Sequence, residues 1–418
     1  MTGLPVQEEH VYPGALKRNQ HVLAVMRNSK EWQLAKIVDV RLARGAPPVL
    51  DATSMEGVEE ERKLQFDYYV HYVGLQRRND RWASEEDVRL DEEEVADKLA
   101  EHERKLKEAR ETDDFLQNDE HLGLSEKQIH EFEEATKVKT VEFIEFGKHR
   151  VESWYFSPFP REYHCATLHI CEFCLHFFVH KEELIRHSER CLVRNPPGDE
   201  IYRDDSVAVF EVDAKNQQTY CENLCLISKL FLDHKTLYYD IDPFYFYVLC
   251  EHDAKGYHMV GYFSREKGNM DNNLSCILVM PFIQRKGYGK FIVEFSYELS
   301  LKEGRFGSPE KPLSDLGHRL YVSWWTQRLL SILLECEGKP VSINELSVMT
   351  SIDPKDIQYV LENFKILRYH RGTYILFTEP EFLRQILKGQ GMPGRPVIRE
   401  NIHWVPHRDT LGGPQSRQ

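Results

Sequence analysis

The 418-residue chain lacks any apolar run approaching ~20 residues, the length a membrane-crossing helix requires. Its start, "MTGLPVQEEHVYPGALKRNQ", lacks the apolar core of a secretory signal. Cysteine is sparse, nine in all, which argues for a reducing compartment and directs attention to metal or catalytic uses before disulfides. Positive charge is not in excess: the formal net charge of −14 disfavours naked nucleic acid as the main ligand and suits basic protein partners. No clear basic nuclear-targeting cluster and no convincing long repeat are visible. The glycine turn at 284–290 is neither a Walker nor a G-x-G-x-x-G loop, and the regular βαβ alternation of a doubly wound nucleotide fold is missing.

The remaining 41% hydrophobic and 29% charged residues are ordinary for a globular protein of two or three domains. Residues 12–90 read as a small β domain. "HVLAVM", "WQLAKIVDVRLA" and "FDYYVHYVGL" are short alternating or β-branched and aromatic runs. "RGAPPVLDATSMEGVEEE" reads as a loop inserted between strands. From 91 to 137 large apolar residues thin out and mixed charge predicts a solvated helical linker.

Residues 138–410 form a third region, in three parts. A cysteine/histidine cluster occupies 138–198. The part from 199 to 318 alternates strands ("DSVAVFEV", "PFYFYVLC", "YHMVGYFS", "NLSCILVM") with the helices "YCENLCLISKLFL" and the one starting at Tyr288. This predicts a mixed-sheet α/β (α+β) core. Residues 319–400 contain three helix-like segments and a hairpin turning at Arg371-Gly372, a winged-helix-like unit. Ser342 and Asp353 are expected N-caps, with Pro354 at the first helical position.

Cys171, Cys174, His187 and Cys191 follow C-x2-C-x12-H-x3-C. His187 and Cys191 lie four apart and share one helix face. Three thiolates and one imidazole close a tetrahedral Zn²⁺ site with no open position, hence a structural one. Cys165, His176 and His180 are nearby competitors, and His180 is the one best placed to displace His187. The mixed charge of "KEELIRHSER" points to a scaffold finger and away from a DNA-reading one.

Between the strand Leu274–Met280 and the helix carrying Phe291, Ile292, Phe295 and Leu299 lies "QRKGYGK". Glycine permits positive φ and close backbone approach. The first helical amides have no internal partners, and the dipole places partial positive charge there. With Arg285, Lys286 and Lys290, the turn reads as a pyrophosphate cradle, Q/R-x-x-G-x-G/A.

Several long stretches together resemble the MYST family of histone acetyltransferases: "WYFSPFPREY", the C2HC cluster, "PPGDEIYR", "NLCLISKLFLDHKTLYYDIDPF", "VGYFSREK", "QRKGYGK" with "FSYELS", and "GSPEKPLSDLG". The β unit resembles the chromo-barrel of one MYST subgroup through "YYVHYVGLQRRNDRW". The resemblance implies an acetyl-CoA-binding core flanked by a zinc finger and a helix-turn-helix-like region. It implies transfer of acetyl from acetyl-CoA to lysines of histone tails, in the nucleus, within a multiprotein chromatin-modifying complex.

By the same resemblance Glu310 is the general base and Cys276 the active-site cysteine. Ile277, Leu278, Val279, Gln284, Arg285, Lys286, Gly287, Tyr288, Gly289, Lys290, Ser314 and Ser323 contact the coenzyme, and Lys235 is the self-acetylated lysine. A lysine ammonium, pKa ~10.4, must lose a proton before attacking a thioester. Burial is expected to tune Glu310 for that task. On residues alone, Glu310 reads as a surface carboxylate and Cys276 as a small core residue, and spacing leaves Lys235 open to being a solvated lysine. Tyr69, Tyr72 and Trp82 read either as a partial methyl-lysine cage or as barrel core, and the arginines of "QRRNDRW" suggest an RNA or nucleosomal DNA contact. A catalytically idle chromatin adaptor is the rival reading of the whole chain.

Overall fold

The computed structural model describes residues 15–27, 29, 31–43, 65–112, 138–233, 235, 240–336, 339–370 and 373–407. The expected loop at 44–61, the latter part of the expected linker and the Arg371-Gly372 turn lie outside them. The described residues fall into two compact units: one runs to Glu142 and includes Glu152–Phe159, and the other comprises Phe143–Val151 and the chain from Pro160 onward.

In the first unit, β1 (His21–Val25), β2 (Trp32–Leu42), β3 (Phe66–Tyr72), β4 (Arg81–Ser84) and β5 (Val88–Arg89) form a five-stranded sheet in the order β4-β3-β2-β1-β5. Side chains on a strand alternate between faces, so Tyr68, Val70 and Tyr72 share one core with Val22, Ala24 and Ile37. Helix α1 (Glu92–Thr112) follows. Its first turns are not a solvated spacer: Val95 and Leu99 pack with Leu23, Leu34, Trp32 and Val73. The few apolar residues of this charged stretch recur at helical spacing, which suffices to seat it on the sheet.

The second unit begins with β6 (Val141–Phe146), β7 (His149–Glu152), β8 (Cys165–Ile170) and β9 (Phe177–Phe178), in the order β7-β6-β8-β9, and α2 (Lys181–Arg190). Then come β10 (Asp199–Arg203), β11 (Val207–Asp213), α3 (Gln218–Lys229), β12 (Phe244–Asp253), β13 (Gly256–Glu266), β14 (Asn272–Leu274), β15 (Ile277–Val279), α4 (Tyr288–Glu303) and β16 (Ser308–Pro309). The central sheet, β10-β11-β12-β13-β15, is antiparallel throughout. Strands β14 and β16 pair in parallel in a separate ribbon.

Helix α5 (Asp315–Glu335), α6 (Ile343–Thr350), α7 (Pro354–Asn363), the hairpin β17 (Leu367–His370) with β18 (Thr373–Leu376), and α8 (Pro380–Gly389) complete the chain. Ser342 caps α6 in a capping box with Glu345, and Asp353 caps α7 ahead of Pro354. Helix α5 starts at Asp315, ahead of the helix-like unit read from residue 319, because Ser314 accepts from the Gly317 amide at 3.1 Å and caps it there.

Helix α4 lies on the central sheet. Phe291, Ile292 and Phe295 close over Val209, Tyr247, Leu249 and Phe263 and fill the space between them. Phe291 and Phe295 are completely buried. The apolar face read every four residues is therefore the face that packs.

Candidate active site and zinc centre

The stretch read as one strand, Leu274–Met280, is two. β14 pairs with β16 and β15 pairs with β13. At the break, Ser275 donates its amide to Ser264 O (2.8 Å) and Ser264 donates its own to Cys276 O (2.9 Å). Two residues thus oppose one, a bulge, and bulges re-aim side chains. The Cys276 amide finds Ser264 Oγ at 3.2 Å. Cys276 sits on this kink, half-buried, and not inside a strand.

Lys235 meets it there. Its Nζ lies 3.7 Å from Cys276 Sγ, and the residue is only 8% exposed, so it is not a solvated lysine. Burial works against its ammonium, but Tyr262, Cys276 and Cys225 pull the other way and prevail, so its pKa is raised. Burial pushes the Cys225 thiol up to about 11. Ser264, Cys225 and Tyr262 escaped sequence reading. Only pairing of β13 with β15 and the seating of α3 bring them to Cys276, and no local spacing signals it.

Glu310 follows β16. Its amide donates to Leu274 O at 2.8 Å, two residues before Cys276, so the parallel ribbon carries this loop to the kink. The side chain is exposed; the burial expected to tune it is not present in the chain itself.

β15 ends the central sheet. Met280 N donates to Val260 O and Ser264 N to Cys276 O, so residues 276, 278 and 280 turn their backbone groups inward. By alternation, those of Ile277 and Val279 face the open edge, while those of Leu278 are engaged with β13. A Cβ on Gly261 would lie 2.5 Å from Leu278 O; glycine is needed for the two strands to approach.

That edge leads to the turn. Arg285 (φ 65°) and Gly287 (φ 90°) both adopt left-handed backbone, and Gly287 is the N-cap of α4. Arg285 and Lys286 are exposed, Gln284, Gly287 and Gly289 half-buried, and Tyr288 buried. The Gln284 side chain donates to Val279 O at 2.9 Å, fastening the turn to the edge strand. Free amides, a helix N-terminus and two exposed cations fit a diphosphate.

Two expected phosphate contacts are already engaged. Lys290 Nζ donates to Gln327 Oε1 (2.7 Å), Gln390 O (3.3 Å) and Met392 O (2.8 Å). Ser323 Oγ donates to Gln390 O at 2.8 Å. Both hold the segment after α8: Lys290 from the first turn of α4 and Ser323 from within α5 donate to the backbone that passes over them. Ser314 serves as the α5 cap.

The thiols of Cys171, Cys174 and Cys191 and a ring nitrogen of His187 all lie within 4.8 Å of one another. Cys174 Sγ is 3.2 Å from His187 Nε2. Leu175 turns the knuckle with φ 61°, and α2 carries His187 up to Cys191. Such a three-sulfur, one-nitrogen set fits tetrahedral Zn²⁺. His180 is instead the residue at the N-cap of α2, its amide donating to Glu183 Oε2 at 3.4 Å.

In the β unit Tyr69 and Tyr72 are each 1% exposed. Three residues apart on one strand, they point to opposite faces and cannot line one cage. Tyr69 packs edge-on against Trp82 at 5.3 Å, and the Arg41 guanidinium covers Trp82 at 4.0 Å. All three are used in packing.

Residues 195–401 match the MOZ/SAS family, 138–191 the MYST family zinc finger domain, and 16–90 the Tudor-knot, described as an RNA binding activity-knot of a chromodomain. Histone acetyltransferase of the MYST family 2 from Arabidopsis thaliana is 47% identical over 352 residues, covering 82% of this chain and 79% of its own. The chain belongs to the MYST family of histone acetyltransferases. Histone acetyltransferase ESA1 of Candida glabrata is 37% identical over 454 residues, covering 97% of each chain, and that of Saccharomyces cerevisiae is 40% identical over 389 residues, covering 82% and 87%. As a MYST enzyme the chain is a lysine acetyltransferase that uses acetyl-CoA and carries a structural zinc centre at Cys171, Cys174, His187 and Cys191. The idle-adaptor reading is set aside.

Proposed function

We propose that this MYST enzyme acetylates lysine ε-amines of histone tails, with Glu310 as the base and the Gly287 turn as the diphosphate seat. One observation carries the reading: the Glu310 amide is bonded to Leu274 O beside the Cys276 kink, and the strand leaving that kink leads, through one short 3-10 turn at Pro281–Ile283, to the glycine turn. Amides of Tyr288, Gly289 and Lys290, with Arg285 and Lys286, bind the diphosphate. The outward backbone groups of Ile277 and the outward amide of Val279, whose carbonyl is taken by Gln284, bind the amide-bearing arm of the coenzyme. The thioester then lies beside Cys276.

Glu310 takes the proton from the lysine ammonium. The freed amine attacks the thioester carbonyl, the N–C bond forms, the C–S bond breaks, and the second proton lost by the attacking nitrogen balances the one taken up by the departing thiolate, so the coenzyme leaves as a thiol. Cys276 is either a neighbour of this transfer or a transient acetyl carrier. Lys235, within reach of Cys276, is the site of self-acetylation, although as an ammonium it must first lose its proton. Nucleosomes as substrate, action in the nucleus, membership of a multiprotein complex and a nucleic-acid contact through the Tudor-knot unit belong to the same reading.

Glu310→Gln should reduce acetylation of core histones at neutral pH, followed by mass spectrometry, to a residual rate measurable only in single turnover, while leaving the acetyl-CoA thermal shift intact. Full residual activity would remove Glu310 as the base. Cys276→Ala separates the two routes, since undiminished turnover leaves direct transfer alone.

A further inference from the structure

Glu310 makes its reach from a short segment whose own side chain is free, so something else must hold it in place. Its two flanking side chains converge on one group. Ser308 Oγ donates to Asp356 Oδ2 at 2.6 Å, and Lys311 Nζ donates to Asp356 Oδ1 at 2.9 Å. Asp356 is 3% exposed and lies in the first turn of α7, where the helix N-terminus favours its charge.

The backbone before Ser308 is tied to the same corner. Gly307 N donates to Ser351 O at 2.8 Å and Asp353 N to Gly307 O at 3.1 Å. Gly307 also bridges Ile352 in parallel. On the opposite side Glu310 N reaches Leu274 O. The segment 307–311 is thus clamped between the β14 ribbon and the α6–α7 corner; Gly307 and Pro309 are buried, the exposed Lys311 is held by its ion pair to Asp356, and the Glu310 carboxylate faces solvent.

We infer that Asp356 is a positioning residue for the acetyl-transfer step: one buried carboxylate, supplied by the helical C-terminal segment, brackets Glu310 from both sides and fixes where its oxygens stand. The inference rests on Glu310 being the base. A base must sit within hydrogen-bond reach of the proton it removes, and displacement of about 1 Å can cost on the order of 100-fold in rate. Nothing in this clamp touches the turn at Gly287, so its loss acts on turnover and not on coenzyme binding.

The test uses the full chain with acetyl-CoA and a histone substrate. Asp356→Asn should lower kcat about tenfold or more, with the KM for acetyl-CoA and its thermal shift unchanged. Ser308→Ala and Lys311→Met each remove one bond from the loop side and leave α7 untouched, so they keep the test open if Asp356→Asn fails to fold. Each should lower kcat, and Lys311→Arg, which keeps a cation on Asp356, should recover most of what Lys311→Met loses. A Glu310→Gln, Asp356→Asn double variant should be no slower than Glu310→Gln alone in single turnover, as expected for residues acting as one unit. Wild-type kcat in all three single variants, or a further full loss in the double variant, overturns the inference while leaving Glu310 as the base. An active Glu310→Gln enzyme overturns both and is recognised by that variant alone.

Discussion

At the residue scale, formal charge and working charge part company at the diphosphate turn. Arg285 and Lys286 are exposed, whereas the Lys290 ammonium is spent on Gln327 and two carbonyls. A cation near a helix N-terminus is itself disfavoured by the dipole, so it is retained only where it finds acceptors or an anion. Arg285→Gln and Lys286→Gln should each weaken acetyl-CoA binding about two- to fivefold at low ionic strength, an effect that fades with added salt. Lys290→Gln should leave the salt dependence of binding unchanged and instead loosen the segment from Gln390 to Met392. Titration calorimetry at two salt concentrations distinguishes the three. An equal salt response in all of them would return Lys290 to the phosphate.

At the scale of single elements, the start of α4 depends on a backbone conformation that side chains resist. Gly287 has φ 90°, and a Cβ there would also come within 3.2 Å of Arg395 N. Gly287→Ala should cost about 1–2 kcal/mol in urea unfolding and weaken acetyl-CoA binding through the displaced amides. A variant as stable as the parent would mean that the cap relaxes freely. The finger element makes a different demand. Its helix α2 contains no fully buried residue, so little but the ligand set holds it. Removing zinc with a chelator, or replacing Cys174 by Ser, should melt this element first, seen as early loss of amide protection in 165–191. Protection unchanged after metal removal would show that the strands β8 and β9 suffice.

At the scale of the whole molecule, the end of the described chain is fastened to the central sheet. Trp404 Nε1 donates to Glu211 Oε2 at 2.8 Å, and His407 Nε2 lies 2.9 Å from Glu211 Oε1, its ring stacked on Tyr245 at 4.4 Å. The hydrogen bond to Glu211 raises the His407 pKa; partial burial and Arg265 oppose it, and Glu303 adds to it. With a folded pKa above the unfolded value, the contribution is complete below pH ~6.5 and is lost as pH rises through the raised pKa. Hydrogen exchange at 401–407 should therefore quicken beyond the intrinsic rate as pH rises above about 6.5, and His407→Gln should remove that excess. Exchange following only the intrinsic rate would deny the histidine any part in the closure.

The metal set, the helix caps Ser342 and Asp353, the packed face of α4 and the glycine turn were legible because each depends on residues close together in the chain. The split of Leu274–Met280 was not legible, since an apolar run looks the same whether it pairs with one strand or two. The placing of Val95 and Leu99 on the β unit was hidden by the charge around them. The fact that Tyr69 and Tyr72 face opposite ways was available from strand alternation alone.

By itself the sequence determined the local chemistry: which donors can hold zinc, which turn can accept a positive φ, which helix face is apolar. These follow from bond geometry and side-chain type within a few residues. Only the tertiary structure decided that Lys235 is buried against Cys276, that Lys290 and Ser323 serve the segment after α8, and that Asp356 brackets the loop of Glu310. Those pairs are separated by tens of residues. Their meeting is set by strand pairing and helix packing summed over the whole core, which no local pattern encodes.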